Sequence, residues 1–333
     1  MRAVVLDEYG GVEVLRLKDV PSPEPGPEEV LVDVVSTAVN RADLLQRMGL
    51  YPGPPMPYEI PGLEFAGVVA AVGERVSSVT VGQPVMGIVG GGSYAEQLVT
   101  HERMVIDVPE HLGLVDGGTV PEVFITAFDA LVAQGGLTTG RTALVHAGAS
   151  GVGTAALQIC RALGAEVVTT ASAGKLDACR SLGATVAVDR AEGDFVAAVR
   201  ELTDGRGVDV VLDVVGGDYL DRNIDALATG GTIVQVGVMG GGRTEVNLGK
   251  LLMKRGVLRG TTLRSRPIEQ KIEISRRFAT EVVPHFRTGA LRPVIDRRYR
   301  LDEIADAHTY MASNANVGKI AIDVIDPADI RPA

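Results

Sequence analysis

Apolar and polar positions alternate in short runs over the first third of the chain: Ala3–Leu6, Val30–Val35, Glu64–Val72, Val85–Ile88 and Tyr94–Val99. Short runs of this kind mark strands. Pro23-Glu-Pro-Gly-Pro27, Pro52-Gly-Pro-Pro55 and Gly90-Gly-Gly92 separate them, and such residues punctuate regular structure. The pattern predicts a β-rich, barrel-like domain over residues 1–120. From residue 121 the texture changes. Runs at Ala143–His146, Glu166–Thr170, Thr185–Asp189, Val208–Val214, Thr232–Val236 and Val257–Thr261 alternate with amphipathic stretches near 153–163, 174–182, 194–203, 218–227 and 247–254. Six strands joined by five helical crossovers predict an α/β fold, a doubly wound parallel sheet over residues 121–262. Residues 263–333 carry two more amphipathic stretches, near 267–287 and 301–312, and a terminal strand, Lys319–Val324; they are expected to return and complete the first domain.

The segment from Thr142 to Thr154 joins the first strand of the α/β series to its first helix through Gly148, Gly151 and Gly153. The spacing is not G-x-G-x-x-G, but the context is that of a dinucleotide turn, where a helix N-terminus meets a pyrophosphate. Gly148, Ser150, Gly151, Val152 and Gly153 are the expected cradle. Ser150 either donates to phosphate or only caps the helix. His146, at the strand end, is either a proton relay or a satisfied core histidine. About 20 residues past such a turn an NAD site carries an acidic residue for the ribose hydroxyl. Here the stretch Thr169-Thr-Ala-Ser-Ala-Gly-Lys175 has none. Ser172 and Lys175, with Arg190 beyond the third strand, are placed to meet a 2′-phosphate, which favours NADPH over NADH. Lys175 is otherwise the first-turn lysine of a solvated helix.

Composition narrows the classes further. With 46% hydrophobic and 22% charged residues, the 333-residue chain is an ordinary globular sequence, long enough for two domains. Its 32 Lys and Arg stand against 42 Asp and Glu, a net charge of −10, which disfavours nucleic acid as a partner. Two cysteines, Cys160 and Cys179, allow no disulfide framework and no cysteine metal cluster. No apolar run reaches membrane-spanning length and the N-terminus reads as a strand, so a cytoplasmic enzyme without a membrane partner is expected.

His146-Ala-Gly-Ala-Ser-Gly-Val-Gly-Thr-Ala-Ala156 resembles the cofactor turn of zinc-independent quinone oxidoreductases in the medium-chain dehydrogenase/reductase superfamily. Asn40-Arg-Ala-Asp43, Pro61-Gly-Leu-Glu-Phe-Ala-Gly67, Thr126-Ala-Phe128, Leu212-Asp-Val-Val-Gly-Gly217, Gly237-Val-Met-Gly-Gly-Gly242 and Asn316-Val-Gly-Lys319 extend the likeness along the chain. Ser150, Leu263-Arg-Ser265 and Pro284-His-Phe286 look most like the tumour-suppressor-inducible type. Zinc members carry Gly-His-Glu where this chain has Gly62-Leu63-Glu64, and a first cysteine ligand in the Asn40–Asp43 region. The resemblance therefore implies a GroES-like catalytic domain, a Rossmann domain, no metal and NADPH-dependent quinone reduction.

It also assigns roles. Asn40 matches a cofactor-contacting position near the catalytic cleft, or is only a turn-forming asparagine. Tyr51 matches a tyrosine lining the quinone pocket, or packs its loop. Asn40, Tyr51 and Ser150 are the expected catalytic set. Thr126 is expected to face the nicotinamide, and Gly237, Val238 and Met239 after the fifth strand, with Leu263 and Ser265 beyond the sixth, are expected to bind cofactor on the ligand edge of the sheet. Asn316 and Lys319 resemble a terminal cofactor contact, Lys319 being otherwise a surface lysine. Without a Lewis acid, a quinone or enone in the cleft between the domains is the expected acceptor, because its reduction gives a delocalised anion. An alkenal or enoyl-thioester reductase, and a non-catalytic NADPH-binding sensor, are the competing readings. A homodimer is expected by analogy, with a tetramer as the alternative.

Overall fold

Proline and glycine segments cut the first third of the chain into strands that pair into one sheet, while uninterrupted β-branched runs later build another. In the computed structural model, which describes residues 1–330, the chain divides into two units: Met1–Ile125 with Arg264–Ala333, and Thr126–Leu263.

The first unit is built on a seven-stranded sheet. Its strands run in the order Ile295–Arg300, Lys319–Asp323, Glu29–Val39, Glu64–Val72, Pro84–Ile88, Ile106–Asp107, with Gln97–His101 also paired to Glu29–Val39. A two-stranded ribbon, Arg2–Val5 with Arg16–Asp19, accompanies it. The core gathers Val30, Val32, Val34, Phe65, Val69 and Tyr94 with Ile320 and Ile322 from the end of the chain. Ile320 lies opposite Val39 in antiparallel register, which brings Lys319 to the end of the long strand, beside Asn40.

The second unit is a six-stranded sheet, parallel throughout. Its order is Val186–Asp189, Glu166–Ala171, Thr142–Val145, Val208–Asp213, Leu227–Gln235, Val257–Gly260. Numbered within the unit this is 3-2-1-4-5-6, the doubly wound order, and the strand order reverses between Thr142–Val145 and Val208–Asp213. The expected GroES-like and Rossmann architecture is therefore present.

Several elements were not foreseen from the pattern. They are the strands Arg16–Asp19, Ile106–Asp107 and Ile295–Arg300 and the helices Arg41–Arg47, Gly113–Gly117 and Pro121–Phe128. The expected helix at 267–287 is two helices, Ile268–Glu281 and Val283–Arg287. Pro284 lacks an N–H and cannot continue the ladder, so the break falls just before it. The seams between units lie after Ile125 and Leu263, a few residues from the change in texture. The helix that starts at Pro121 is held to the first unit at its beginning: Glu122 N–H donates to Glu64 Oε2 at 2.9 Å, and the Phe124 and Phe286 rings meet edge-on at 4.8 Å.

Candidate active site

In the second unit, the strand Thr142–Val145 is wholly buried and leads into the turn through Ala147, which adopts a left-handed φ of 55°. Gly148 N–H donates to Thr170 O at 2.9 Å, and a Cβ on Gly148 would lie 2.1 Å from Thr169 Oγ1. A Cβ on Gly153 would lie 2.2 Å from Ala147 O. A side chain at Gly148 would run into that of Thr169, and one at Gly153 into the backbone of the turn itself, so both positions are crowded as a tight dinucleotide turn requires. The helix Gly151–Leu163 follows. Ser150 caps it: Oγ accepts from Gly153 N–H at 3.0 Å and its carbonyl from Thr154 N–H at 2.8 Å. The first-turn N–H groups of Gly151 and Val152, which have no intrahelical acceptor, are those left to meet an anion. Capping and phosphate binding are thus compatible in Ser150. The turn fits a pyrophosphate on geometry alone.

His146 is entirely buried. Nε2 meets Asn223 Oδ1 at 2.7 Å, and Nδ1 meets Thr170 Oγ1 at 3.0 Å. Asn223 Nδ2 in turn donates to Asp213 Oδ2 at 2.9 Å, which leaves Oδ1 as acceptor and makes Nε2 the protonated nitrogen. Burial pushes the imidazole pKa down, against the pull of Asp213. Both ring nitrogens are consumed inside the unit. Of its two readings this geometry is that of the satisfied core histidine: the side chain of His146, a residue also expected among the cofactor-binding set, braces the turn against the next strand. The sequence carried no sign of Asn223 or Asp213 as its partners, because they are brought in by tertiary packing. Asp213 also accepts from the N–H groups of Val215 and Gly216, fixing the loop after its own strand.

Ser172, Lys175 and Arg190 come together at neighbouring strand ends. Arg190 Nε donates to Ser172 Oγ at 3.2 Å, and Lys175 N–H to Ser172 O at 2.9 Å. Gly237, Val238 and Met239 follow the strand Leu227–Gln235, and the last two side chains are exposed. Thr126 lies on the helix Pro121–Phe128, and Leu263 is buried.

The first unit holds a buried polar centre. Lys319 Nζ donates to Glu64 Oε1 at 2.7 Å, Asn40 Oδ1 at 2.7 Å and Val39 O at 3.2 Å. Its side chain is 3% exposed and that of Glu64 0%, so the surface-lysine reading of Lys319 is overturned. All three ammonium donors are used within the protein. Asn40 Nδ2 donates to Glu64 Oε1 at 2.9 Å, and its backbone N–H to Asp43 Oδ2 at 2.7 Å. The Tyr94 hydroxyl donates to the same Asp43 oxygen at 3.0 Å and meets His308 Nε2 at 3.3 Å. Asp43 Oδ1 is buried without a partner. Burial pushes the Asp43 carboxyl up to about 6, against the pull of its hydrogen bonds and of Lys319. Burial and the nearby Glu64 charge push Glu122 up to about 8. Burial, reinforced by Arg47, drives His308 down to about 3, so it is neutral. Asn316, nearly buried, donates to Gly318 O at 2.7 Å. Ser265 is exposed, three residues before the helix Ile268–Glu281. Tyr51 is partly buried beside Arg264, whose guanidinium carbon is 4.9 Å from the ring centroid.

Sequence reasoning singled out Asn40 and Lys319 without joining them and missed Glu122, Tyr94 and Arg264. Glu122 had a local signal, a proline followed by an acid at a helix start; Tyr94 was absorbed into a strand. Among the described residues no group of three or more His, Cys, Asp and Glu side chains is arranged to hold a metal ion. Among the described residues no helix is long and apolar enough to cross a membrane.

Two family models match the chain: an alcohol dehydrogenase GroES-like domain over residues 26–110 and a zinc-binding dehydrogenase over residues 151–279. The chain is 33% identical to the quinone oxidoreductase of Lama guanicoe over 97% of each protein. It is also 30% identical, over 96% of its own length, to a phenolphthiocerol/phthiocerol polyketide synthase of Mycobacterium tuberculosis, of which it spans only 14%. Escherichia coli quinone oxidoreductase, solved in complex with NADPH, superposes with a TM-score of 0.86 at 27% identity, covering 97% of this chain and 100% of that one.

The raised pKa of Glu122 has a consequence for stability. In the unfolded chain the carboxyl titrates near 4.5, and in the fold near 8. Between these values the native state holds the extra proton, so this contribution to stability is full below about 4.5 and is lost as pH rises through about 8. Urea denaturation across this range is expected to show Glu122→Gln flattening the pH dependence and gaining on the parent most at the alkaline end. An identical pH dependence in both proteins would refute the assignment.

Proposed function

The chain belongs to the medium-chain dehydrogenase/reductase superfamily and is an oxidoreductase with a nicotinamide cofactor, and from that premise we propose that it reduces quinones with NADPH and without a catalytic metal. The observation that carries the reading is the buried centre. Asn40 and Glu64, at positions where zinc members have ligands or their neighbours, are engaged by Lys319 and by Glu122 N–H, and Leu63 replaces the histidine. An acceptor bound here must supply its own electronic activation, as a conjugated dicarbonyl does. Gly148, Ser150, Gly151, Val152 and Gly153 would hold the pyrophosphate. Ser172, Lys175 and Arg190 would hold the 2′-phosphate, and Tyr51 would cover the acceptor. When bound, NADPH supplies the hydride; the protein's part is to orient and to exclude water.

The finer likeness to the tumour-suppressor-inducible type rests on Ser150, Leu263-Arg-Ser265 and Pro284-His-Phe286 and belongs to this proposal. A second reading, reduction of an unsaturated thioester, is favoured by the match to a segment of the polyketide synthase. A homodimer is also proposed. The edge strand Val257–Gly260 is exposed along its length, and Leu248, Leu252 and Met253 are 69%, 75% and 80% exposed on the helix Leu248–Lys254. Such an apolar edge suits a second copy.

Three measurements test this. NADPH oxidation is expected with 1,4-benzoquinone and naphthoquinones at a higher kcat/KM than with 2-alkenals or crotonyl-CoA; faster thioester turnover would replace the quinone assignment, and NADPH binding without turnover would favour a sensor. Lys175→Ala should cost about 1.5–3 kcal/mol of NADPH affinity, roughly 10- to 100-fold in Kd, and leave NADH nearly unchanged; equal losses would remove the 2′-phosphate argument. Light scattering should give a dimer mass that Leu252→Glu converts to a monomer, and a monomeric parent would end the dimer proposal.

A further inference from the structure

Arg264 is the first residue of the segment that returns to the first unit, and it reaches three separate stretches of that unit. Nε donates to Gly90 O at 2.7 Å, Nη1 to Tyr51 O at 2.8 Å and Nη2 to Gln46 Oε1 at 2.7 Å. The fork thus joins the glycine segment Gly90–Gly92, the loop after Met48, and the helix Arg41–Arg47. Gln46 is itself 1% exposed and donates to Glu59 Oε1, so it is a fixed anchor rather than a mobile surface amide. The loop lies directly against the guanidinium: a Cβ on Gly53 would stand 2.6 Å from Nη2.

A simple loop tie needs only the backbone. Here the same guanidinium bonds the Tyr51 carbonyl and lies 4.9 Å from the Tyr51 ring centroid, so both the main chain and the ring of one residue are held by one side chain. Arginine suits this task because its planar fork donates in several directions while its face stacks on an aromatic ring. Lysine can supply the charge but not the fork.

We propose that Arg264 is a positioning residue that presents the Tyr51 ring as a fixed flat wall, and that this wall selects planar, electron-poor ring acceptors over acyclic ones. The selection rests on the reductase reading above. The holding of the loop does not.

The test uses the full-length protein with Arg264→Ala and Arg264→Lys, compared by amide hydrogen exchange and by steady-state kinetics. Exchange over residues 49–56 should accelerate about tenfold or more in both variants, while the strand Glu29–Val39 keeps its protection. The KM for a naphthoquinone should rise about tenfold with kcat within about threefold, and the KM for an acyclic enone should move less than about twofold. Unchanged exchange over 49–56 would overturn the clamp. Equal KM changes for both acceptors would overturn the selection and leave Arg264 a structural tie. A parent protein that turns over neither acceptor would sink the reductase reading and the selection with it, while the exchange result would still decide whether Arg264 holds the loop. If Arg264→Ala does not fold, Arg264→Lys carries the comparison.

Discussion

One buried ammonium constrains the first unit more than any other group. Lys319 is removed from water and survives there because each of its donors meets an oxygen, one of them a buried carboxylate. A buried ion pair of this kind is weak evidence of net stability, but loss of either partner strands the other and costs about 3–5 kcal/mol. Three pieces of chain are thereby fixed at once. The strand Lys319–Asp323 must return to lie beside Glu29–Val39; Glu64 must open its own strand at the same level; and the Asn40 amide can face only one way. The orientation of the Asn40 amide is therefore decided by a lysine nearly 280 residues away in sequence.

The same centre carries more acid than one cation can neutralise. Glu64 takes the ion pair, and Asp43 and Glu122 are left with burial and with its charge. Their pKa values rise, Asp43 to about 6 and Glu122 to about 8, so that near neutrality Glu122 keeps its proton and absorbs part of the excess charge that would otherwise appear as repulsion. The second unit solves a related problem without net charge. His146, Asn223 and Asp213 form a directed chain of hydrogen bonds whose far end collects the N–H groups of Val215 and Gly216. Both arrangements spend polar side chains on holding loops still, a requirement of sites that must position groups within a fraction of an ångström.

Much of the fold was legible in the sequence because its signals are local. All six strands of the parallel sheet, and the helices between them, followed from the alternation of β-branched runs with amphipathic stretches, and the turn at Gly148–Gly153 from its position between strand and helix. What was not legible depends on long-range partners. The helix Arg41–Arg47 is too short to show a period, and the strand Ile295–Arg300 reads as polar because most of its residues face water. His146 and Lys319 were recognised as chemically notable, yet whether each faces a ligand or the core is set by residues 77 and 255 positions distant. No local pattern encodes that choice. Arg264 lay inside a quoted motif and still had no assigned role, since its three acceptors come from segments that periodicity cannot bring together.

Zinc-binding dehydrogenase is the description of the family model matched over residues 151–279, while the first unit buries an ammonium beside the end of its long strand. A metal offers both positive charge and an empty orbital; an ammonium offers only the charge. Lys319 supplies a fixed positive group that orders Asn40 and Glu64, but it cannot accept a lone pair from a carbonyl oxygen. On the proposed reading the difficulty of stabilising a developing oxyanion passes to the acceptor, and a conjugated acceptor meets it by delocalisation where a simple ketone cannot.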